Sequence, residues 1–475
     1  MVSAGRFFLL SSLACALAAG QTSAQSHGLT SSRSGATWYL DCSRSGSAGN
    51  GKSPEAAWNS TAALAEHEFG PGDSILLRRG TTCEGGVISR GSGSAASPIR
   101  LDAWGVGPLP RIHARSGERA ALLLSDQQYW SIAHLEFVGG EPYGIYITGT
   151  RGVLHGIHIR DVVVHDVTGE PKEKDSGLVV IAPGNHAQRF DDVLVDGVTA
   201  YRTTQWAGIL VGTAREFLPA EGRSTNVVVR NSIVHGVAGD GIILFQVIHG
   251  LIENSVAWHT GMQPTQTIGT PNAIWTWMCR DCIVRRNEAF LVDSPGVDGG
   301  AFDVDYGNTD NVVEDNYGHD TQGYCVAVFA AGSGTTNTVV RGNVCAGNGR
   351  SPRLARRQGA VFLDTWNGGI IRGLTVQANR IFWDPPIAAP VVVDTAAIEG
   401  PVSFREQEIH SSSPFFIRSN GGLTLDHNDY IYLGESSARW VLGGKTYSDF
   451  ANYQREARQD HHSRFSRENR ASRSP

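Results

Sequence analysis

Lysine is scarce in this chain of 475 residues. The 40 cationic side chains include only four lysines, at Lys52, Lys172, Lys174 and Lys445. The 46 acidic residues outweigh the cations and leave a net charge of −6. A nucleic-acid-binding protein shows a basic footprint, so nucleic acid is excluded as a partner. The sequence also lacks the run of about 20 apolar residues that a membrane-spanning helix needs, so no membrane span is expected.

Glycine, by contrast, is abundant, with 57 residues. These glycines are dispersed and do not fall at every third position, which excludes collagen. Hydrophobic residues make up 41% of the chain, enough for a sizeable core, so wholesale disorder is excluded as well. Length alone favours two or three domains, unless the chain is built from repeats.

The first residues have the pattern of a secretory signal peptide. Arg6 supplies a positive charge, an apolar stretch follows from Phe7 to Ala19, and Thr22–Ala24 offers small residues for cleavage. The sequence therefore predicts a signal peptide over residues 1–24 and a secreted, extracellular protein. One glycosylation sequon begins at Asn59 and is usable only in a eukaryotic secretory route.

An even number of cysteines remains after the signal peptide, which suggests disulfides in a secreted chain. Proximity in sequence favours three pairs: Cys42–Cys83, Cys279–Cys282 and Cys325–Cys345. The Cys279–Cys282 spacing is also that of a redox motif or half a zinc site. A second such pair, which a zinc site needs, is missing, so a structural bridge is favoured.

One pattern recurs between residues 155 and 430. A short β-branched strand ends at an Asn or Asp, a second short strand follows, and a variable loop leads to Gly and a third apolar strand. The polar positions fall at Asp161, Asp196, Asn231, Asn254, Asn287, Asn316, Asn343, Asn379 and Asn428. A polar corner between short strands is typical of a parallel β-helix, because Asn tolerates the left-handed backbone of a tight bend. A β-sandwich, the alternative, needs hairpin turns instead.

The pattern gives a domain organisation. We expect an N-terminal cap with first strands over 25–110, a single solenoid of about ten coils over 111–445, and a C-terminal helix with a loose tail over 446–475. The fold class is therefore all-β, a right-handed parallel β-helix in one domain. Distinct end units are expected because a solenoid must be capped.

Several segments resemble a known family. The segment Gly70-Pro-Gly-Asp-Ser-Ile-Leu-Leu-Arg-Arg-Gly80, the Asn-register coils and the terminal Lys445–Asp460 segment resemble secreted right-handed β-helix proteins of the pectin-lyase-like superfamily. The resemblance implies activity on polysaccharides, by lyases, glycosidases or epimerases. It also implies that substrate lies on the outer face of the strand after the variable loop. Fold alone does not fix function.

Strand alternation assigns the outer faces of these strands. In the strand around residue 275, Trp275 and Trp277 point outward; in the next, Asp303 and Asp305 do. Asp364 points outward two coils further on. Successive coils stack about 4.8 Å apart, so the sequence predicts a groove with tryptophans beside carboxylates. The alternative is that long loops cover the tryptophans.

Asp303 and Asp305 are the predicted catalytic residues. Their Cα atoms, at i and i+2 on one strand, lie about 6.6–6.8 Å apart, so the carboxyl groups can act as acid and base of a glycosidase. With Asp298, the same pair offers oxygen ligands to calcium, which the resemblance makes plausible. The alternative is that the Asp pair has a structural role and accepts hydrogen bonds from loop amides.

His319 is a further candidate, as a general base near neutral pH. However, His165, His235 and His259 follow coil corners at a similar distance, which favours a structural ladder. For substrate binding the sequence offers Trp275, Trp277 and Asp364, and Arg280 is the nearest basic residue to the groove strand.

The sequence thus favours a secreted, monomeric enzyme that cleaves a polysaccharide. A hydrolase is slightly favoured over a calcium-dependent lyase, because lysine, which related lyases use as a base, is almost absent from the coils. A non-catalytic glycan-binding or host-surface protein, or an epimerase, is the alternative. No cofactor other than calcium is indicated.

Overall fold

The computed structural model describes residues 35–262, 268–294, 297–354 and 358–468. The predicted signal peptide lies outside the described residues. Parallel strands run in three long sheets, and consecutive strands along the chain pass from one sheet to the next. Each coil therefore contributes one strand to each sheet. In the described part of the chain, no helix is long and apolar enough to cross a membrane.

The strands of the first sheet come just before the polar corners of the repeat in the sequence. Its strands are β1 Thr37–Leu40, β3 Ser74–Arg78, β7 Ile99–Trp104, β10 Trp130–Ala133, β13 Gly152–Arg160, β16 Gln188–Asp196, β19 Ser224–Arg230, β22 Val247–Glu253, β25 Ile283–Arg285, β28 Val312–Glu314, β31 Thr335–Thr336, β32 Val339–Arg341, β35 Ile371–Gln377, β38 Ile398–Arg405 and β41 Thr424–Asp426.

The second sheet begins after the corners. Its strands are β4 Thr82–Glu84, β8 Arg111–His113, β11 Glu136–Val138, β14 Val163–Val167, β17 Thr199–Thr203, β20 Ile233–Val237, β23 Val256–Thr260, β26 Glu288–Val292, β29 Tyr317–His319, β33 Val344–Ala346, β36 Arg380–Trp383, β39 Glu408–Ser411, β42 Asp429–Tyr432 and β45 Arg464–Arg467.

The third sheet follows the variable loops. Its strands are β5 Val87–Ile88, β9 Leu122–Ser125, β12 Tyr143–Thr148, β15 Gly177–Ile181, β18 Ala207–Gly212, β21 Ile242–Phe245, β24 Ile274–Trp277, β27 Phe302–Val304, β30 Val326–Ala331, β34 Val361–Trp366, β37 Val391–Val393, β40 Phe415–Ser419, β43 Arg439–Leu442 and the antiparallel β44 Lys445–Tyr447. A small separate sheet pairs β2 Glu68–Phe69 with β6 Arg90–Gly91.

This arrangement confirms the predicted parallel β-helix. The solenoid is longer than the ten or so coils expected from the repeat, because the second sheet alone has 14 strands. The additional coils include β3 and β7, which join the first sheet although their segments lack the Asn corner. The interior is filled by the inward-facing aliphatic side chains of all three sheets, which form one continuous core.

The polar corner of the repeat consists of two adjacent positions, which corrects the single register expected from the sequence. The outer position has left-handed backbone and is held by Asp161, Asn231 and Asn254, with φ between 50° and 51°. The inner position, one residue later in the chain, holds Asn287 and Asn316 with their side chains buried. A one-residue offset between coils is hard to see in sequence because Asn and Asp suit both positions.

The buried asparagines form a hydrogen-bonded ladder along the solenoid. The amide of Asn287 donates to Oδ1 of Asn316 at 3.1 Å, Asn316 donates to Asn343 at 3.0 Å, and Asn343 donates to Asn379 at 2.9 Å. Gln407 continues the ladder by accepting from Asn379, a position that the Asn pattern missed. The ladder satisfies backbone groups at every turn, since each Oδ1 also accepts from the preceding coil's backbone N–H.

Replacing Asn343 with leucine is expected to lower the free energy of unfolding by at least about 3 kcal/mol. The change removes the buried partners of Asn316, Asn379 and the Val313 carbonyl, and each unsatisfied buried group costs about 1–3 kcal/mol. Denaturant unfolding followed by circular dichroism measures this change in the free energy of unfolding. The control, Asn50→Ala at an exposed position, should change stability little; equal effects of the two changes would contradict a ladder that stabilises the fold.

Short helices lie near both ends. Helix α1 spans Ala62–Glu66 in the segment predicted as helix-like, and helix α2 spans Phe450–Ala457 inside the predicted C-terminal helix. Asp449 caps α2 by accepting a hydrogen bond from the Asn452 backbone N–H at 2.8 Å. Tyr453 of α2 is buried and stacks on Trp440 of the last coil, with ring centroids 5.4 Å apart.

Two of the three predicted disulfides are present, Cys42–Cys83 and Cys325–Cys345. The predicted Cys279–Cys282 bridge is wrong, because both residues are free thiols inside the solenoid. Cys279 points toward the carbonyl of Leu244 at 3.3 Å and Cys282 toward that of Val247 at 3.6 Å. Each side chain therefore fills a core position over the preceding coil. Burial raises the pKa of the Cys282 thiol well above its usual range, which makes this thiol unreactive.

Thiol labelling checks this correction. Iodoacetamide without reductant is expected to leave Cys279 and Cys282 unmodified in the folded protein, because both are buried. Both should be alkylated after unfolding in guanidinium, as measured by peptide mass spectrometry. The cysteines of the two disulfides serve as the internal control, since they react only after reduction. A 279–282 disulfide peptide would contradict the structure.

Candidate functional site

The outward-facing residues of the third sheet line up in columns across neighbouring coils. Trp275 of β24 pairs with Asp303 of β27, and Asp303 pairs with Ala327 of β30, which pairs with Phe362 of β34. Phe302 and Val304 point into the solenoid core, as predicted. The predicted alternation of β27 is therefore confirmed, and Asp303 and Asp305 lie on the outer side.

The two tryptophans also lie on the outer side, but they are not exposed as a bare groove. Trp275 and Trp277 are only 3% and 6% exposed, in an outer apolar cluster that includes Trp206 and Phe245. Phe217 packs on Trp277 with ring centroids 5.5 Å apart. The predicted exposure was wrong because loops cover this face. Alternation in a strand assigns a side of the sheet and carries no information on what lies over it.

Two adjoining clefts open above these residues. The first, about 480 Å³, contains the acidic side chains and the second, about 710 Å³, contains Trp277 and a mixture of charges. The two clefts share four of their lining residues: Lys174, Trp275, Asp305 and Tyr306. Asp298, Asp303 and Asp364 line the first cleft. The structure thus brings together most of the predicted site residues.

Asp303 is the most enclosed of these acids. Its Oδ2 accepts a hydrogen bond from the side-chain amide of Asn272 at 3.2 Å, whereas Oδ1 is buried without a hydrogen-bond partner among the described residues. Burial, together with the negative charges of Asp305 and Asp298, raises the pKa of Asp303 well above its usual range. This shift favours the protonated, neutral form of the Asp303 carboxyl group.

Asp305 lies at the end of β27, where the two clefts meet. It is partly exposed, and its Oδ1 accepts a hydrogen bond from the Tyr306 backbone N–H at 2.8 Å. Burial raises the pKa of Asp305 to about 7, although that hydrogen bond and the Lys174 ammonium act in the opposite direction. A carboxyl group that titrates near neutral pH and faces a cleft is suited to proton transfer.

Asp298 reaches the first cleft from the loop before β27. It is partly exposed, with left-handed backbone at φ 59°, and it accepts a hydrogen bond from the Thr270 hydroxyl. The pKa of Asp298 is raised overall, because burial raises it more than that hydrogen bond and the Lys174 ammonium lower it.

Lys174 lines both clefts and is the residue of the candidate site that the sequence interpretation missed. Its ammonium lies 4.6 Å from the ring centroid of Trp275 and 4.0 Å from Oδ2 of Asp240. It lowers the pKa of Asp298, Asp303 and Asp305. A signal was available, because two of the four lysines, at 172 and 174, occur together in the variable loop before β15.

Asp240 supports this arrangement from below. It is completely buried; its Oδ1 accepts from the Asn272 backbone N–H at 2.8 Å, and Oδ2 accepts from the Trp206 indole. Burial raises the pKa of Asp240 to about 6 against the lowering effect of Lys174. Because Asn272 also bonds Asp303, Asp240 fixes both the lysine and the amide that contact the acidic cleft.

Calcium does not fit this cleft. Of the described residues, Asp298, Asp303 and Asp305 do not form a group whose ligand atoms all lie within 4.8 Å of one another. The Lys174 ammonium occupies the same region and acts electrostatically on all three carboxyls. Calcium needs six to eight oxygen ligands, so we assign no step to a metal here.

This chain is similar to two lacto-N-biosidases. The chain is 24% identical, over 382 residues, to the lacto-N-biosidase of Bifidobacterium longum subsp. longum, covering 59% of this chain and 24% of that protein. Two crystal structures of the GH136 lacto-N-biosidase from Eubacterium ramulus, native and selenomethionine forms, match with TM-scores of 0.55 and 0.56 and identities of 19% and 18%. They cover 86% and 91% of this chain, and 67% of the E. ramulus chain in each case. The likeness shows that the chain shares the parallel β-helix fold of these structures. No protein-family model matches it.

The β-helix spans about a quarter of the length of its curated relative. At these identities the likeness shows the fold and not the activity. What the site does must therefore be argued from its own residues.

Two predicted site residues lie away from the clefts of the β-helix. His319 is on the second sheet, where its Nδ1 faces Asp320 at 2.7 Å and its Nε2 faces Glu288 at 3.2 Å. It ends a continuous column of stacked rings: His165, Tyr201, His235, Trp258, Phe290 and His319. His165, His235 and His319 of the ladder suggested by the sequence share this column, whereas His259 is exposed beside it and Trp258 holds the position in its coil. Arg280 is at a coil corner beside Asp281, 3.6 Å away, and lines neither cleft.

Proposed function

We propose that this protein is a glycoside hydrolase acting on a neutral oligosaccharide. The observation that carries the proposal is Asp305, whose pKa is raised to about 7 at the junction of two clefts. A carboxylic acid that stays protonated near neutral pH is what a glycosidase needs to protonate the leaving oxygen. A glycan bridging both clefts has one linkage beside Asp305.

Asp298 is the second carboxyl group of the proposed mechanism. A glycosidase needs an ionised carboxylate opposite the acid, as nucleophile or as base toward water. Asp303 is poorly suited, since it is 2% exposed and its pKa is raised well above the usual range. Asp298 is partly exposed and lines the same cleft. This modifies the expected Asp303/Asp305 pair: we propose Asp305 as the acid and Asp298 as the second carboxyl group, with Asp303 as a buried group that takes no direct part.

The charge of the cleft supports a hydrolase over a lyase. A uronic-acid lyase must neutralise the substrate carboxylate, and this cleft is lined by four acids against the single cation Lys174 among the described residues. A substrate carboxylate would meet further negative charge there. Neutral sugars avoid this repulsion. Exposed aromatic surface is also present, since Trp366 lines the cleft, is 40% exposed and stacks edge-on with Tyr306.

The relatives give the first substrates to test. Both the curated and the solved relatives are named lacto-N-biosidases, so we propose lacto-N-biosyl glycans and other neutral oligosaccharides as substrates. Chromogenic glycosides and a glycan panel are assayed for reducing ends and for absorbance near 235 nm. New reducing ends without that absorbance are expected. Absorbance at 235 nm would indicate a lyase, and no product from any glycan would contradict an enzyme.

A matched pair of variants links the activity to this cleft. Asp298→Asn should abolish product formation, whereas Asp310→Asn, at an exposed corner outside both clefts, should retain it. Binding without turnover by the unchanged protein would favour a glycan-binding protein instead.

We further propose secretion through the predicted signal peptide, consistent with two disulfides, and a monomeric state. Use of Asn59 for glycosylation stays a prediction.

A further inference from the structure

The last turn of the solenoid carries three metal-ligating side chains, far in sequence from the clefts. Asp426 ends β41, His427 follows it at the corner, and His462 precedes β45. One ligand atom from each of the three lies within 4.8 Å of the other two. The Nδ1 atoms of both histidines face the same carboxylate oxygen, Oδ2 of Asp426, at 3.2 Å for His427 and 2.8 Å for His462.

The backbone holds these three residues in place. Asp426 pairs with Arg405 in the first sheet, and its Oδ1 accepts from the His462 backbone N–H at 2.8 Å. The next residues are also joined, since the Asn428 backbone N–H donates to the Ser463 hydroxyl at 2.7 Å. The two imidazole rings consequently stack with centroids 4.7 Å apart. Asp426 ends a strand, and His427 and His462 lie in the bend and the turn next to it, tied to it by these hydrogen bonds.

The cluster is also open to solvent. The side chains of His427 and His462 are 59% and 67% exposed, and that of Asp426 is 31% exposed. The Asp426 carboxylate therefore faces both imidazoles at a position that an ion can reach from solvent.

We propose that Asp426, His427 and His462 bind a divalent transition-metal ion, Zn²⁺ above all. Two imidazoles and one carboxylate suit zinc, copper or nickel, whereas calcium and magnesium prefer oxygen ligands alone. Three protein ligands leave coordination positions for water. The ion would join the corner of the last complete coil to the strand that returns after helix α2. The site is independent of the proposed hydrolase activity.

Calorimetry and thermal unfolding with ZnCl₂ test the proposal on the full secreted chain, purified without a histidine tag and stripped with EDTA. We expect one Zn²⁺ per chain, an increase in Tm on adding zinc, and no response to CaCl₂ or MgCl₂. His427→Gln and His462→Gln should each weaken zinc binding at least about tenfold.

His249→Gln is the matched control. His249 is an exposed histidine with a left-handed backbone (φ 57°) like that of His427 (φ 58°), and it faces a single acid, Asp281, at 3.7 Å. This variant should bind zinc unchanged. Tm values without zinc show whether each variant folds. Absence of zinc binding, or equal affinity in the His427, His462 and His249 variants, would overturn the proposal. X-ray absorption on the zinc-bound protein should show two imidazole ligands; a shell of oxygen alone would also overturn it.

Discussion

Replacing Asp305 with asparagine is expected to lower kcat by about 10²–10⁴-fold, the usual contribution of a general acid. Asparagine keeps the shape of the side chain but cannot donate the proton to the leaving oxygen. Tm should not fall, because the carboxyl group has a raised pKa, so its ionised form lowers stability at high pH. Initial rates on the substrate identified from the glycan panel, together with thermal unfolding, measure both effects.

The pH dependence of kcat in the unchanged protein tests whether Asp305 acts as the general acid. Asp305 is protonated below its pKa of about 7, so kcat should fall as the pH rises through about 7. The same raised pKa makes the folded state bind this proton more tightly than the unfolded state, so stability should decrease between about pH 4 and 7. Asp305→Asn should reduce that decrease. A kcat that rises through pH 7 would contradict the role of acid.

Asp303→Asn separates the two neighbouring acids. If Asp303 is neutral at pH 7, an asparagine of nearly the same shape replaces it with a much smaller loss of kcat than the change at Asp305. Asn272 already donates to Oδ2 of Asp303, and an amide oxygen can accept that bond. Equal losses at 303 and 305 would support the pair expected from the sequence, and would remove Asp298 from the mechanism.

Replacing Lys174 with methionine is expected to lower kcat by about 10²-fold and to move the alkaline limit of activity to higher pH. The Lys174 ammonium lowers the pKa of Asp298 and Asp305, so its loss raises both values. Asp298 is then ionised less readily, and the cleft loses a cation that stabilises developing negative charge. The kcat profile between pH 5 and 9 measures both changes.

Lys174→Arg is the conservative control. It keeps the charge and should keep the alkaline limit near that of the unchanged protein, whatever it does to the rate. Lys445→Met, which removes an exposed lysine paired with Glu456, should change neither quantity. A Lys174→Met variant with a reduced rate but an unmoved profile would assign the lysine to substrate contact alone.

The repeat predicted the fold because the coils between residues 155 and 430 share the same local pattern. Short β-branched strands, dispersed glycines and Asn corners specify a parallel solenoid turn by turn, and neighbouring coils bury what each coil cannot bury alone. The coil number was underestimated because β3 and β7 reach the same sheet without the Asn corner. Gln407 fills a ladder position with a different amide, which a pattern of Asn and Asp does not detect.

The site was predictable only in part, for a geometric reason. Strand alternation placed Asp303 and Asp305 on the outer face beside Trp275, because that depends on neighbouring positions in one sheet. The loops that cover the tryptophans and bring Lys174 to the acids belong to other coils, and their path has no period in the sequence. The prediction of a Cys279–Cys282 bridge was wrong for a similar reason, since nearness in sequence does not show that each thiol packs on the preceding coil.

The covered C-terminal end of the solenoid has a consequence for self-association. A stack of parallel strands exposes unlike edges at its two ends, so one copy could add to the next head to tail without closing, and fibres would grow. Here β44 turns back antiparallel on β43, and Tyr453 of α2 packs on Trp440. We therefore expect that removing β44 and α2 uncovers the edge of β43 and promotes head-to-tail association, which light scattering measures.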